Sequence, residues 1–372
     1  MIAKQVVMEG EDAGRVASSM VDELKAPDLA FVFLFADWRL DATVMGKLPY
    51  QQLGVPVVGA TTLGVIGPRK THGMAAVGLG FYGTELRFGI GIARDVPKSP
   101  IPKSRDAVRD AADALGTTVD KLDPGRHVGI MLVDGKCGAE EACCIGSAAA
   151  APQIRFVGGS AATDVASPRR PFIWSDGHVM TDAAIVVVIE SSLPFVAVQS
   201  AHLVPTDLKT VVTLASGRSI GELDGFPAAT RLAEMVAELG PLDPQRPQYS
   251  FARYVDGTPY VRSITGIDGE LIHVASAVET GQVLRIMRPG DLIGQTTRDL
   301  AAANTRVNGM SAFLAFSCIG RHWEAAARGI EEELGLAYAA YPTVGFQSFG
   351  EQSGMLLCNH TLTGLAIGTR TG

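Results

Sequence analysis

The chain has 372 residues, 47% of them hydrophobic and 19% charged, with 42 glycines and a formal charge of −7. That balance lacks the clustered basic footprint of a nucleic-acid-binding protein. The apolar run 183–198 is interrupted by Glu190 and Pro194, so no run reaches the about 18–20 residues of a membrane helix, and membrane insertion is not expected. The N-terminal MIAKQVVMEGEDAGR turns acidic before a signal-peptide core forms, which points to the cytoplasm. Five cysteines, with the adjacent pair Cys143–Cys144 and no C-x-x-C spacing, predict reduced and unpaired thiols.

In chain order, the first apolar run, FVFLFADWRL from Phe31, reads as a buried strand. VPVVGATTLGVIGP follows from Val55 at the distance of one helical crossover, and MAAVGLGF supplies a further strand. The stretch 99–125 is bounded by prolines and reads as a helix between them. The pattern then returns, as GIMLVDGKCG from Gly129, IRFVGGSAATDVAS from Ile154 and DAAIVVVI.

VAVQSAHLVPTD reads as a connection, and after Pro205 the composition changes. KTVVTLASGRSIGELDGFPAATRLAEMVAELG predicts a hairpin and a helix. YSFARYVDGTPYVRSITGIDGELIHVASAV predicts three strands separated by Asp-Gly and Gly turns, and RPGDLIGQTTRDLAAAN another helix. The pattern appears a third time as FLAFSCIGRH from Phe313, TVGFQSFGEQSG and LTGLAIG. Its helix is HWEAAARGIEEELG, in which Trp323, Ala326, Ala327, Ile330 and Leu334 share a face and Gly335 suits the C-terminal cap.

The chain therefore reads as a mixed α/β protein of repeated strand–helix–strand–strand units in mixed sheets. The first two strands of each unit have the spacing of a parallel βαβ crossover. An N domain, 1–200, would hold two units. A C domain, 201–372, would join antiparallel strands to the third.

QSAHLVPTD, VVTLASGRSIGELDGFPAATRLAEMV, FLAFSCIGRHW and the C-terminal TVGFQSFGEQSG with CNHTLTGLAIG resemble the FIST family (F-box and intracellular signal transduction). VPVVGATTLGVIG and FVGGSAATD resemble its N-terminal domain. The chain departs from the family pattern at Val65, at Ala201-His202 and at His360. The resemblance implies an intracellular sensory module for a small ligand, amino acids being the usual suggestion, and in a subset a haem-based nitric oxide sensor. No segment reads as an output domain, so output is expected through a separate partner protein. Homo-oligomerisation stays open.

Ligands of α/β sheets gather where parallel strands end and helices begin. The three first strands are followed by cations, Arg39, Lys136 and Arg321, and the three second strands by hydroxyls, Thr61, Thr62, Ser160 and Ser348. A guanidinium beside helix N–H groups and hydroxyls suits a carboxylate, so a small polar ligand such as an amino acid is expected. For Arg39 and Lys136 a solvated surface cation is the competing reading. Glu351 is either a ligand contact or a turn carboxylate bonded to its own backbone, and Asn359 either a ligand contact or a satisfied buried amide.

An enzyme is the less favoured alternative. Cys318 stands at a strand end before a helix, where a thiol pKa can fall, and it or Glu351 would carry the chemistry. No catalytic residue, metal or cofactor is otherwise expected, because the seven histidines show no metal-ligand spacing. Haem needs one axial ligand and stays open, with His202, His322 and His360 the candidates.

Overall fold

In a computed structural model, residues 2–68, 71–72, 74–240, 242–243, 248–255 and 257–369 are described. The first unit comprises β1 (Ala3–Glu9), α1 (Ala13–Leu24), β2 (Leu29–Asp37), α2 (Ala42–Leu53), β3 (Val57–Thr62), the short strands β4 (Val65–Ile66) and β5 (Thr71–His72), and β6 (Ala75–Tyr82). The second has the same order: β7 (Leu86–Arg94), α3 (Pro100–Ala114), β8 (His127–Asp134), α4 (Glu140–Ala150), β9 (Arg155–Ala161), β10 (Ile173–Ser175), β11 (His178–Met180) and β12 (Ala183–Ser191).

The third opens with β13 (Phe195–Ala201) and is then interrupted by a run of antiparallel strands with one helix. These are β14 (Val204–Ser216), β15 (Ser219–Leu223), β16 (Phe226–Pro227), α5 (Ala228–Val236), β17 (Ser250–Val255), β18 (Thr258–Asp268), β19 (Leu271–Val274) and β20 (Val283–Arg288). It resumes with α6 (Leu292–Arg306), β21 (Met310–Cys318), α7 (Ile319–Arg328), α8 (Glu331–Ala339), β22 (Thr343–Ser348), β23 (Glu351–Ser353), β24 (Leu356–Cys358) and β25 (Thr361–Gly368). Aspartates start three of the helices: Asp12, Asp41 and Asp291 each accept first-turn N–H bonds, as short polar caps do.

Three six-stranded sheets share one strand order. They run β1-β6-β2-β3-β10-β11, β7-β12-β8-β9-β23-β24 and β13-β25-β21-β22-β4-β5. In each, the first and second strands of the crossover pair in parallel and the rest antiparallel. The last two strands of every sheet come from a different unit, so each unit lends its short hairpin to a neighbour. Strand β2 is buried almost end to end, which explains its unbroken run of apolar residues. The inner faces of all three sheets meet in one core. Phe35 lies 4.7 Å from Phe346 between ring centroids, and Phe346 lies 5.4 Å from Phe316.

The Val-Gly pairs recur because of this packing. Gly59, Gly158 and Gly345 stand opposite Leu34, Met131 and Ala315 in the three parallel pairs. A Cβ on any of them would come within 1.8, 2.0 and 1.9 Å respectively of that partner's carbonyl oxygen. Only hydrogen fits there.

The interrupting strands form a separate sheet, β14-β20-β17-β18-β19-β15-β16, that closes on itself through β14–β15. Its core of Val212, Leu232, Phe251, Ile272 and Leu284 is filled partly by α5.

Several expectations are corrected. HWEAAARGIEEELG is two helices, because Gly329 adopts a left-handed φ of 66° and caps α7. The buried face of α7 is Ile319, Arg321 and Ala325, Trp323 is exposed, and Gly335 lies inside α8. VAVQSAHLVPTD is mostly strand rather than connection: β13 pairs along its length with β25, and β14 begins at Val204. The turns leaving the Val-Gly strands hold the exchanged hairpins, and SFGEQSG runs into strand β23, which pairs with β9. The expected border at residue 200 falls near the end of β13.

Candidate functional site

At the end of β3 the hydroxyls of Thr61 and Thr62 hold the exchanged hairpins. Thr61 Oγ1 accepts from the Phe172 N–H at 2.9 Å. Thr62 Oγ1 lies 2.9 Å from the Gly64 carbonyl and 2.8 Å from that of Gln347. The Ser160 N–H donates to the Gly350 carbonyl at 2.9 Å, while its buried Oγ has no partner among the described residues.

The cations of the first two units are likewise engaged internally. Arg39 grips the buried Asp37 with two prongs, at 2.7 and 2.9 Å. Lys136 donates to the carbonyls of Ser167 at 2.7 Å and Arg169 at 3.1 Å, tying down the loop after β9. The solvated-cation reading fails for Lys136, and the pairing with Asp37 replaces it for Arg39.

The third unit differs. Arg321, in the first turn of α7, is fully buried rather than facing an open cleft. Its Nη2 donates to Thr296 Oγ1 at 2.6 Å, and its Nη1 lies 3.4 Å from His202 Nδ1. Its Nε has no partner, and among the described residues no carboxylate lies within ion-pair distance. A second buried guanidinium, Arg262, instead reaches three main-chain carbonyls, those of Val261, Ala277 and Leu357.

One turn along α7, Glu324 Oε2 accepts from His202 Nε2 at 2.7 Å and from His360 Nε2 at 2.9 Å. Its other oxygen holds Arg328 at 2.7 Å. His202 lies between β13 and β14, where the third sheet hands over to the inserted one, and His360 in the turn before β25 with a φ of 57°. Ser263 of β18 lies 3.4 Å from His360 Nδ1, so the inserted sheet closes the cluster. A Cβ on Gly320 would come 3.1 Å from that imidazole, so the glycine leaves room for the ring.

Burial pushes the His202 imidazolium down to about 4 despite its bond to Glu324, so the ring is neutral at neutral pH. For Glu324 burial works upward, but the bonds from both imidazoles outweigh it and hold the carboxyl well below its usual range. His322 lies apart, 3.8 Å from Glu331. Histidines 202 and 360 thus converge and 322 does not. No linear spacing could reveal this; the only signal was that two departures from the family pattern are histidines.

Beneath the cluster, Glu351 is fully buried. Its carboxyl accepts from Ser348 Oγ at 2.6 Å and Thr361 Oγ1 at 2.8 Å. Burial raises it to about 8, although these bonds and the charge of Arg321 work the other way. Asn359 takes a 2.5 Å bond from Ser276 and donates to the Phe349 carbonyl at 3.4 Å, so its amide has protein partners on both sides. The expectation of a lowered Cys318 thiol is overturned, because the group is entirely buried beside Glu351 and its pKa is pushed far upward.

These features define a mixed α/β protein of three interlocked sheets, carrying an inserted antiparallel sheet and a buried polar cluster at the seam between them. Residues 28–225 match the FIST N domain and residues 228–354 the FIST C domain, so the chain belongs to the FIST family. FIST domains are sensory domains of signal transduction.

An uncharacterised protein of Methanocaldococcus jannaschii is 31% identical over 120 residues, which are 32% of this chain and 22% of that protein. This chain therefore matches less than a quarter of that relative's length. Cyanuric acid hydrolase from A. caulinodans aligns over 99% of both chains, with a TM-score of 0.37 and 13% identity. Among the described residues no helix is long and apolar enough to cross a membrane.

Proposed function

We propose that the protein senses a small anionic or zwitterionic ligand, an amino acid or related carboxylate, bound at Arg321 where α7 meets α6 and the connection into the inserted sheet. A single observation carries this reading: a fully buried guanidinium with an unpartnered Nε and no carboxylate at ion-pair distance among the described residues. A buried charge without a counter-charge is costly, and a ligand carboxylate would supply one. Glu351 does little to compensate at neutral pH, since burial favours its protonated form.

Glu324 and His360 form the partly exposed rim, so a ligand would enter as the connection carrying His202 shifts against α7, and that shift would carry the signal to a separate partner. The haem reading has less support. It needs an imidazole free to face an apolar pocket, whereas His202 and His360 both turn onto a carboxylate. The buried, high-pKa thiol of Cys318 gives little support to nucleophilic catalysis.

The test is mass spectrometry of small molecules carried through purification, followed by thermal-shift titration with amino acids and simple carboxylates. A charge-assisted bond contributes about 1.5–3 kcal/mol, so Arg321→Met should weaken the responding ligand roughly ten- to a hundredfold. Failure of every carboxylate to stabilise the wild-type protein would overturn the reading.

A further inference from the structure

We propose that His202, Glu324 and His360 form a mononuclear site for a divalent first-row transition metal ion. The site goes beyond the carboxylate-sensing reading and does not depend on it.

The donor set is two imidazole nitrogens and one carboxylate oxygen, from three separate places in the fold, with all candidate ligand atoms within 4.8 Å of one another. Two nitrogens and an oxygen of this kind suit zinc, iron(II), cobalt(II), nickel or copper rather than magnesium or calcium, which prefer all-oxygen shells. The hydrogen-bonded distances are 2.7 and 2.9 Å. Bonds of about 2.1 Å to a metal need donor atoms roughly 3.0–3.4 Å apart, so the two nitrogen–oxygen separations open by a few tenths of an ångström while the two imidazole nitrogens, within 4.8 Å of each other, settle to the same spacing.

The surroundings also fit. Arg328 occupies Glu324 Oε1 and leaves Oε2 as the converging ligand atom. Once His360 Nε2 binds a metal, its Nδ1 must carry the proton, and Ser263 Oγ stands 3.4 Å away to accept it. His360 is held in a left-handed backbone conformation that non-glycine residues rarely adopt, and this turn presents the ring to Glu324. His202 is buried, and His360 and Glu324 are partly exposed, so an ion has an entry side.

Arg321 sets the limits. On metal binding His202 Nδ1 takes the proton, so Nη1 of Arg321 must turn from its 3.4 Å contact while Nη2 stays on Thr296. A guanidinium so close repels a second cation, which places the affinity below that of closed structural zinc sites. Three protein ligands leave coordination positions open, and beside Arg321 these favour an anion.

The test uses the full chain, stripped with a chelator and titrated with cobalt(II) in the absence of any organic ligand. One equivalent should bind per chain, with the visible bands of a four- or five-coordinate ion. Removing a group that only holds a metal ligand in place costs about 10–100-fold in metal affinity, so Glu324→Gln and His360→Asn, which remove ligands themselves, should each lose at least about a hundredfold. Asparagine tolerates the left-handed turn, so His360→Asn keeps the fold while removing the ligand. His322→Ala, whose imidazole faces Glu331 and not the cluster, should bind like wild type. Absence of saturable uptake, wild-type affinity in both Glu324→Gln and His360→Asn, or an equal loss in His322→Ala would overturn the site. Because no carboxylate is present, none of these results bears on ligand binding at Arg321.

Discussion

Thr62 of the first unit and Gln347 of the third, 285 residues apart, are joined by a 2.8 Å hydrogen bond from the threonine hydroxyl to the glutamine carbonyl. The bond is buried and fixes the exchanged hairpin β4–β5 on the third sheet. Thr62→Val keeps the volume but removes the hydroxyl. Leaving a buried group unsatisfied costs about 1–3 kcal/mol, so the urea midpoint should fall accordingly. An unchanged midpoint would mean that the hairpin is held by its ladder bonds alone.

Alanine at Gly59, Gly158 or Gly345 should be among the most damaging small substitutions in the chain. The added methyl meets a main-chain carbonyl of the neighbouring strand, which cannot swing aside as a side chain does. Each should lose about 3 kcal/mol or more, or fail to accumulate in folded form. Gly217, whose Cβ would meet nothing within 4 Å, has a positive φ of 59°, so alanine there tests backbone strain alone and should cost less. Equal melting temperatures for Gly158→Ala and Gly217→Ala would contradict the close-approach argument.

Glu351 should make stability fall with rising pH. Its folded value of about 8 lies above the ordinary 4.5, so between those limits the folded state binds a proton that the unfolded state releases. The contribution is fully present below about pH 4.5, declines as the pH rises towards about 8, and levels off above it. At 1.36 kcal/mol per pH unit the whole span is about 4–5 kcal/mol. Glu351→Gln removes the titration, so its urea midpoints near pH 5 and near pH 9 should lie closer together than those of the wild type, and identical pH slopes would refute this.

The five thiols should all be reduced yet almost inert. Four are buried, Cys137 is partly so, and burial raises Cys143 to about 11 and Cys358 to about 12. A disulfide-exchange reagent needs the thiolate. Burial pushes the Cys137 thiol far upward as well, so the native protein should react slowly, and at Cys137 first only because that cysteine alone is partly exposed, while the denatured protein should yield five thiols. Fast reaction at Cys143 and Cys144 in the native state would show that the α4 region opens.

Much of the architecture was legible because it is written in local patterns. Unbroken apolar runs marked β2, β8 and β21, a crossover's length of chain marked their parallel partners, and Asp-Gly and Gly turns marked β17, β18 and β19. The three Val-Gly pairs were visible as a recurrence, although the carbonyls that require glycine there belong to neighbouring strands. The two-residue and three-residue strands β4, β5, β10 and β11 were not legible, since so short a segment has no periodicity and becomes a strand only when another unit's sheet edge receives it.

Charge and hydroxyl positions at the strand ends were likewise determined by the sequence, but their partners were not. Asp37 claims Arg39 and the Ser167 and Arg169 carbonyls hold Lys136, while Arg321 is buried with no acid at ion-pair distance among the described residues, although the three stand at comparable places in their units. The convergence of His202, Glu324 and His360 was decided by tertiary structure alone. These residues lie in a strand connection, a helix and a turn far apart in the chain, and they meet because the connection into the inserted sheet and the turn before β25 both pack against α7. Spacing along a chain reports neighbours within one helix or strand, and a cluster built across elements exists only once those elements pack.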